Sequence, residues 1–339
     1  MTEPLLDVKN LKVYYETERG TVRAVDDVSF SLNAGRNIGL VGESGCGKTT
    51  AAKAILHLLA DNAAIRGGEI IFQGNRIDNL SEKAFDNLRW CQIAVISQSA
   101  MNALNPVYRV GDQIVEAIRA HEKTTKQAAR DQVTRLFQWV GLPPERARDY
   151  PHQFSGGMKQ RAIIAMSLAL NPAMIIADEP TTALDVVMQD QVMEQIVHVQ
   201  QESESSILLI SHDISVVTEV CQHFVVMYAG KVAESCSVED FHAKPCHPYS
   251  MGLLLAFPTL EGEARNLVSI PGFPPDLSKD IGGCLFRDRC PFQQTVCSKE
   301  EPPDVEVKPG HIAKCHFADK ADEMRLLAEK EETWEQMAV

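Results

Sequence analysis

FSGGMKQR, residues 154–161, joins a Ser-Gly-Gly turn to the start of an apolar helical pattern. Ser155 is a suitable helix cap, because a serine oxygen accepts a hydrogen bond from a backbone N–H of the first turn. Gly156 and Gly157 lack a Cβ, so the backbone there can approach a ligand closely. A helix N-terminus attracts anions, and the stretch therefore predicts a phosphate-binding site.

A second phosphate site lies upstream. GESGCGKTT, residues 42–50, fits the pattern G-x-x-x-x-G-K-[ST], whose backbone N–H groups cradle phosphate oxygens. The apolar run Ile38–Val41 and the helical pattern from Lys48 to Ala60 supply the strand–loop–helix context that the motif requires. We expect Lys48 to contact the β- and γ-phosphates of a nucleoside triphosphate and Thr49 to help hold Mg²⁺. The expected phosphate-binding residues are Gly42, Ser44, Gly45, Cys46, Gly47, Lys48, Thr49 and Thr50.

Three polar residues follow predicted buried strands. Asp178 comes directly after Met174–Ala177, at a strand end from which a carboxylate can reach Mg²⁺ through water. Glu179 is the candidate to orient and deprotonate an attacking water molecule. His212 follows the strand Ile207–Ile210 and is placed to contact the γ-phosphate. The alternatives are an acidic pair that only begins a helix and a histidine with a structural role.

The composition limits the class of protein. The chain has 339 residues, 45% of them hydrophobic, enough for one large domain with an appendage or for about two domains. A net charge of −13 argues against a surface that wraps DNA. The first residues, MTEPLLD, lack the basic and apolar regions of a signal peptide, and Asn171-Pro172 interrupts the apolar run Ile163–Ala177. We therefore expect a cytosolic protein whose membrane role comes through partners.

The chain divides into four stretches by its patterns. Strand-like alternation continues to about residue 98, helical patterns follow to residue 154, and helix and strand then alternate. Continuous apolar runs in that third stretch are typical of parallel strands buried on both faces. A Pro-rich and Cys-rich stretch follows, ending in a predicted helix over residues 319–339 with Met324, Leu327 and Trp334 on one stripe. The predicted division is an ATPase core of 1–98 and 155–255, a helical subdomain of 99–154, and a C-terminal extension of 256–339.

These motifs together resemble the ATP-binding subunits of ABC transporters. The resemblance implies an α/β fold with a P-loop ATPase core, made of a RecA-like mostly parallel sheet and an antiparallel β subdomain. It also implies a helical insert, a small C-terminal Cys-rich lobe, ATP and Mg²⁺ as cofactors, and ATP hydrolysis coupled to transport. In this family the Ser-Gly-Gly turn binds the ATP held by a second ATPase subunit, either a homologue or a copy of the chain. Two membrane-spanning permease subunits and an external or periplasmic solute-binding protein complete the expected complex, at the cytoplasmic face of the cell membrane and without nucleic acid.

The resemblance adds further site residues. Gln98 ends the run IAVISQ and matches the Q-loop, which would touch Mg²⁺ and the attacking water and would connect the core to the helical insert. Asp185 lies in PTTALD, which resembles the D-loop that crosses the dimer interface, and this context favours catalytic roles for the preceding acidic pair. Tyr15 is expected to stack on the adenine ring because of its strand phase, with Tyr14 as the alternative.

Several features narrow the resemblance to the branch that imports oligopeptides and dipeptides. Phe154 and Met158 replace the leucine and glutamine that are commonest at these positions of the family, and this variant is typical of that branch. MNALNP at 101–106, HPY at 247–249 and IPGFPPDL at 270–277 indicate the same branch. Relatives in this branch also serve nickel and some oligosaccharides, so the sequence leaves the cargo open.

Four cysteines lie close together near the C-terminus: Cys284, Cys290, Cys297 and Cys315. Four thiols in a small Pro-rich segment are hard to explain as core packing. Structural zinc usually brings a C-x₂₋₄-C pair, and no such pair occurs among these four. Cysteines with longer gaps can hold a [4Fe–4S] cluster, and related peptide-importer subunits carry a comparable motif. We expect a structural [4Fe–4S] cluster, with zinc as the runner-up and free or regulatory thiols as the third alternative.

Two other classes of function are compatible with an ABC ATPase. One is a soluble ATPase acting in DNA repair or on ribosomes, but such proteins usually carry a long coiled-coil or zinc insertion, or two ATPase cassettes in one chain. The other is a metal-sensing regulatory module with secondary ATPase activity. Co-purification separates the classes, since membrane subunits would favour transport and ribosomes or DNA would not.

Overall fold

The computed structural model describes residues 3–97, 103–181, 186–256 and 268–335. The described residues form two compact units. The first comprises those within Met1–Ser31, Ile38–Asp78 and Ser211–Val339, and the second those within Leu32–Asn37 and Asn79–Ile210.

Strands and helices both occur along the described parts of the chain. The strands are β1 (Leu6–Thr17), β2 (Gly20–Leu32), β3 (Asn37–Val41), β4 (Ala63–Phe72), β5 (Asn75–Arg76), β6 (Ile93–Ile96), β7 (Met174–Asp178), β8 (Ser206–Ser211), β9 (His223–Tyr228), β10 (Lys231–Ser237), β11 (Asp304–Lys308) and β12 (His311–Lys314). The helices are α1 (Lys48–Ile55), α2 (Glu82–Phe85), α3 (Val110–His121), α4 (Lys126–Trp139), α5 (Gly156–Ser167), α6 (Val186–Ser203), α7 (Ile214–Val220), α8 (Val238–Ala243), α9 (Pro248–Ala256), α10 (Thr295–Lys299), α11 (Ala321–Ala328) and α12 (Glu331–Glu335).

The first unit contains an antiparallel sheet in the order β2-β1-β4-β5. Leu6 and Val8 are buried on one face of β1, but the next buried residues are Leu11 and Val13, which shifts the alternation by one position. The register between β1 and β4 shifts at the same place, and Asn10 takes a left-handed φ of 48° there. An extra residue in a strand returns the following side chains to the buried face, so the bulge explains the interrupted pattern.

The same unit also contains the strand that leads into the phosphate loop. β3 is buried along its whole length and pairs in parallel with β9, as its continuous apolar sequence predicts. β10 pairs antiparallel with β9 on one side and with β12 on the other, and β11 pairs antiparallel with β12. The C-terminal hairpin of β11 and β12 therefore extends a sheet of the first unit by backbone hydrogen bonds.

The second unit combines parallel strands with helices. β6, β7 and β8 lie side by side, with Ile93 paired to Met174 and Met174 paired to Ser206. α3 and α4 pack on each other through one apolar face each, which includes Ile114, Val133 and Phe137. α4 ends at Trp139, and Gly141 takes a left-handed φ of 65° just beyond it.

Two helix predictions were too long. The helix predicted from Lys48 to Ala60 ends at Ile55 in the structure. The C-terminal helix is divided into α11 and α12, and the predicted stripe is only partly buried: Met324 and Trp334 lie in the core, whereas Leu327 is 46% exposed. Within the described ranges, none of the helices combines the length and the apolar character needed to cross a membrane.

Candidate functional site

The phosphate loop follows β3 and depends on glycines at two close backbone approaches. Gly42 has a φ of 146°, and a Cβ there would lie 2.1 Å from the carbonyl oxygen of Met227. Gly47 has a φ of 104°, and a Cβ there would lie 2.3 Å from the carbonyl oxygen of Ala24. Backbone oxygens cannot move aside as a flexible side chain can, so a larger residue at either position would displace the loop.

Lys48 is held at the mouth of this loop. Its side chain is buried, and Nζ donates to the carbonyl oxygens of Gly42 at 2.7 Å and Glu43 at 3.0 Å. α1 begins at Lys48, so the positive end of the helix dipole and the ammonium group lie at the same point. This arrangement suits a multiply charged phosphate, with Thr49 and Thr50 in the first turn of the helix. Cys46 is buried within the loop, and burial raises the pKa of its thiol although Lys48 opposes the shift.

The two adjacent tyrosines of β1 have different surroundings. The hydroxyl of Tyr14 donates to Asp26 Oδ1 at 2.8 Å, and burial together with this bond raises the pKa of Tyr14 to about 12. The hydroxyl of Tyr15 lies 3.4 Å from Thr50 Oγ1, in the helix that follows the phosphate loop. Tyr15 is therefore the tyrosine next to the loop, and its role beside a bound base stays a prediction.

His212 lies in a short, fixed turn of the first unit. It follows Ser211, the last residue of β8, and its side chain is exposed. Asp213 links this turn to the helix that follows: its carboxylate accepts a hydrogen bond from the N–H of Ser215 at 2.9 Å and caps α7. The N–H of Asp213 donates to the hydroxyl of Ser211, also at 2.9 Å.

The predicted acidic pair lies in the second unit at the end of β7. Asp178 is the last residue of this strand, and the N–H of Glu179 donates to the carbonyl oxygen of Ile210 at 2.9 Å. Glu179 has a φ of 46°, in the left-handed region that residues other than glycine rarely adopt. Strained backbone of this kind is concentrated at functional sites, where the surrounding structure holds it in place.

The Ser-Gly-Gly turn has the predicted form. Ser155 is the N-cap of α5, and its hydroxyl accepts from the N–H of Met158 at 3.3 Å. Gly156 and Gly157 are the first two residues of the helix. Gln160 is a further residue of this region that the sequence patterns do not predict: its buried side chain donates to the carbonyl oxygen of Pro180 at 2.8 Å and so ties α5 to the segment after the acidic pair. A buried polar residue cannot be recognised from the helical pattern alone.

Gln98 and Asp185 lie outside the described residues, so their roles stay predictions.

The four C-terminal cysteines line one cavity in the first unit, together with aromatic residues such as Phe286. Burial raises the pKa of the Cys284 and Cys290 thiols and raises that of Cys315 to about 12. Thiols in such surroundings are protonated unless a metal binds them, because a thiolate is the form that coordinates metal.

The spacing of these sulfurs bears on which group the cavity fits. A tetrahedral zinc site with Zn–S bonds of 2.3 Å would bring its sulfurs within about 3.8 Å of one another. No three sulfurs of these four cysteines form a set within 4.8 Å in the described structure. The lining holds four soft thiols and two histidines, His247 and His316, and no carboxylate, a donor set that suits either zinc or an iron–sulfur cluster.

A second cluster of potential ligands, formed by Glu234, Cys246 and His311, was not predicted. Their ligand atoms lie within 4.8 Å of one another, and all three side chains are buried. His311 Nε2 and Glu234 Oε1 are only 2.6 Å apart, however, whereas two such ligands of one zinc ion would be about 3.3 Å apart. Burial opposes protonation of His311, but bonds to Cys246 and Glu234 outweigh it and raise the pKa of His311 to about 9. Glu234 and His311 therefore form a buried ion pair, with Cys246 beside it.

Two family models match the chain. The one described as ABC transporter matches residues 25–182, and the one described as oligopeptide/dipeptide transporter, C-terminal region, matches residues 233–297. The oligopeptide transport ATP-binding protein OppD of Escherichia coli strain K12 is 44% identical over 315 residues, covering 92% of this chain and 93% of that protein. The dipeptide transport ATP-binding protein DppD of Bacillus subtilis strain 168 is 43% identical over 329 residues, covering 96% and 98%.

Solved structures share the fold. The dimeric structure of MJ0796, described as a bacterial ABC transporter cassette, superposes with a TM-score of 0.62 at 23% identity, covering 69% of this chain and 98% of that one. The structure of cbiO1 from Clostridium perfringens, described as part of the ABC transporter complex cbiONQ, gives a TM-score of 0.60 at 24% identity, covering 70% and 90%.

Proposed function

Because the chain belongs to the family of ATP-binding proteins of oligopeptide and dipeptide ABC transporters, we propose that it hydrolyses ATP to energise the import of peptides. The resemblance drawn from the sequence motifs is thereby confirmed, and so is the ABC ATPase fold. The phosphate loop carries the proposal: β3, three glycines with positive φ and Lys48 form a preorganised anion site at the start of α1.

The residues assigned to ATP hydrolysis have separate chemical roles. Lys48 and the N-terminus of α1 hold the β- and γ-phosphates. Thr49 and Asp178 would hold Mg²⁺, which would neutralise charge on the transferring phosphate. The oxygen of the attacking water bonds to the γ-phosphorus while Glu179 accepts a proton from that water. The bond between the γ-phosphorus and the β-phosphate oxygen breaks, which gives ADP and phosphate. His212 donates a hydrogen bond to the γ-phosphate.

The Ser-Gly-Gly turn serves ATP held by a second ATPase chain. The Ser155 cap orients the first turn of α5, so that the N–H groups of Gly156 and Gly157 point toward the partner's γ-phosphate. By resemblance to the family, Asp185 would contact the partner across the same interface, and Gln98 would link the ATP site to the helical subdomain. ATP therefore joins the two chains, and its hydrolysis lets them separate.

The ATPase pair acts on two permease subunits, and a solute-binding protein delivers the cargo to them. The chain would be attached peripherally to the cytoplasmic face of the membrane through these permeases. Peptides are the cargo class that the similarity to the oligopeptide and dipeptide transport proteins favours.

The cysteine cavity is the proposed site of a [4Fe–4S] cluster. Cys284, Cys290, Cys297 and Cys315 would be its four thiolate ligands. The bound cluster would cross-link segments of the lobe that contain little secondary structure, so we assign it a structural role.

The proposed ATPase activity is tested with Glu179→Gln in the assembled transporter. The variant should bind ATP as the wild type does, whereas ATP turnover should fall about 10²–10⁴-fold because the proton acceptor is lost. Glu194→Gln, at an exposed position of α6, is the matched control and should turn over normally. Undiminished turnover in Glu179→Gln, with the partner chain's site disabled, would contradict the assignment of the base.

The same variant tests the shared interface. With hydrolysis blocked, ATP should hold two chains together, and a second change, Ser155→Arg, should abolish this ATP-dependent pairing by filling the partner's phosphate site. Light scattering of the two purified variants with ATP measures the mass directly. Pairing that survives Ser155→Arg would exclude a role for the Ser-Gly-Gly turn between subunits.

A further inference from the structure

We propose that the C-terminal lobe, residues 268–335, supplies a positioning residue to the phosphate loop: Arg289 neutralises the Glu43 carboxylate and so maintains the affinity for ATP. This inference rests on the proposed function. Glu43 and Arg289 are 246 positions apart, and neither belongs to the motif residues that contact phosphate.

The contact between the two side chains is a bidentate ion pair within the first unit. Arg289 Nη1 donates to Glu43 Oε2 at 2.7 Å, and Nη2 donates to Glu43 Oε1 at 2.8 Å. The side chain of Arg289 is 6% exposed and that of Glu43 is 27% exposed. Two parallel bonds between planar groups fix orientation as well as distance, which a single lysine contact would not do.

Contacts with the C-terminal lobe and with Tyr228, the last residue of β9, hold Arg289 in this position. Its Nε donates to the carbonyl oxygen of Pro271 at 2.8 Å, and its guanidinium lies 5.7 Å from the centre of the Tyr228 ring. Nη1 also approaches the Tyr228 hydroxyl at 3.3 Å. Arg289 directly precedes Cys290, which lines the cysteine cavity.

A residue of α9, Tyr249, also holds the backbone of Glu43. Its N–H donates to the hydroxyl of Tyr249 at 2.8 Å, and Tyr249 is fully buried in α9. The N–H of Tyr249 donates in turn to His247 Nδ1 at 3.0 Å, and burial lowers the pKa of His247 to about 4, which keeps this nitrogen an acceptor. The amide of Glu43 is thus already bonded to protein, and this loop position holds the turn in shape.

An unpaired carboxylate in this loop would oppose ATP binding. ATP brings several negative charges to the N–H groups beside Glu43, and like charges that are partly shielded from water repel over many ångströms. Arg289 cancels the carboxylate before ATP arrives. If Arg289 only anchored the lobe to the loop, it would be needed whether or not Glu43 carried a charge.

Binding of the non-hydrolysable analogue AMP-PNP with Mg²⁺ to the full chain separates the two roles. Arg289→Gln should weaken binding about tenfold, which corresponds to ~1.4 kcal/mol. Glu43→Gln leaves a cation facing the loop and should tighten binding about two- to threefold. The double variant Glu43→Gln/Arg289→Gln should bind within about twofold of the wild type, because no unpaired charge is left.

Two controls accompany this series. Arg23→Ala removes another arginine that links the core to the C-terminal lobe, through Asp280 at 2.8 Å, and should leave AMP-PNP binding within about twofold of the wild type. Raising the salt concentration should reduce the defect of Arg289→Gln, because screening weakens repulsion between charges.

Three results would overturn the inference: normal binding by Arg289→Gln, a double variant as weak as Arg289→Gln, or weaker binding by Glu43→Gln alone. The last result is informative even where Arg289→Gln does not fold. Failure of the wild-type chain to bind AMP-PNP at all would instead count against the proposed ATPase function.

Discussion

At the scale of single residues, Tyr14 and Tyr15 show how neighbouring identical side chains acquire different roles. They lie on opposite faces of β1, because successive side chains of a strand alternate. Tyr14 is bonded to Asp26, whereas Tyr15 lies beside Thr50 in the helix that follows the phosphate loop. Strand phase alone favours Tyr15, but only the tertiary structure places it next to α1.

We predict that Tyr15→Ala weakens ATP binding by ~1–3 kcal/mol, the range found when an aromatic side chain that stacks on a base is removed. Titration with ATP and with inorganic triphosphate measures the effect, because only ATP carries a base to stack. Tyr14→Phe is the matched control: it removes the bond to Asp26 and should lower stability by ~0.5–1.5 kcal/mol without changing ATP affinity. Equal losses for ATP and triphosphate in Tyr15→Ala would argue against stacking.

At the scale of elements, one buried ion pair attaches the C-terminal hairpin to the core. His311 is the first residue of β12, and it bonds to Glu234 in the middle of β10. The same carboxylate accepts from the N–H groups of Cys246 and His247, at 2.7 and 2.8 Å. Removing one member of such a buried group leaves the others without partners, so the hairpin depends on all of them.

We predict a stability change with pH that His311 controls. Its pKa is raised on folding from 6.5 to about 9, so the pair contributes fully below about pH 6.5 and its contribution is lost as the pH rises through about 9. A shift of this size corresponds to a contribution of about 3 kcal/mol at low pH. Thermal unfolding between pH 6 and 10 should show a falling midpoint for the wild type and a lower, flatter curve for His311→Gln.

His198→Gln is the matched control for this measurement, since His198 is exposed on α6. Its curve should follow that of the wild type. A His311→Gln curve parallel to the wild type across this pH range would mean that another group causes the change.

At the scale of the whole molecule, segments distant in sequence build the cysteine cavity. Cys284 and Cys315 are separated by α10, β11 and β12, yet both line the same cavity. Burying four thiols around one space stabilises a small lobe weakly, whereas a bound cluster would cross-link it.

We predict that the anaerobically purified chain is brown and contains iron and acid-labile sulfide, and that Cys290→Ser loses both the colour and the iron. Absorption spectra and elemental analysis measure the outcome. Cys91→Ser changes a cysteine of the second unit outside the cavity, so it should keep the iron content of the wild type. Stoichiometric zinc without iron in the wild-type chain would refute the assignment.

The sequence by itself determined the parts of the protein that depend on neighbours in the chain. The phosphate loop, the Ser155 cap and the buried strand β3 follow from residue types at short, fixed spacings, because local hydrogen bonds and strand periodicity set them. Helix ends were less accurate: α1 ends at Ile55, and His57 just beyond it takes a left-handed φ of 54° that the helical pattern does not reveal.

Only the tertiary structure decided which distant residues meet. The pairs Arg289–Glu43 and Glu234–His311 and the shared cysteine cavity each join positions far apart in the chain. A charged residue in a sequence is usually solvated, and its pattern does not reveal a buried partner. Folding supplies that partner, because a charge removed from water must be compensated by an opposite charge or by hydrogen bonds.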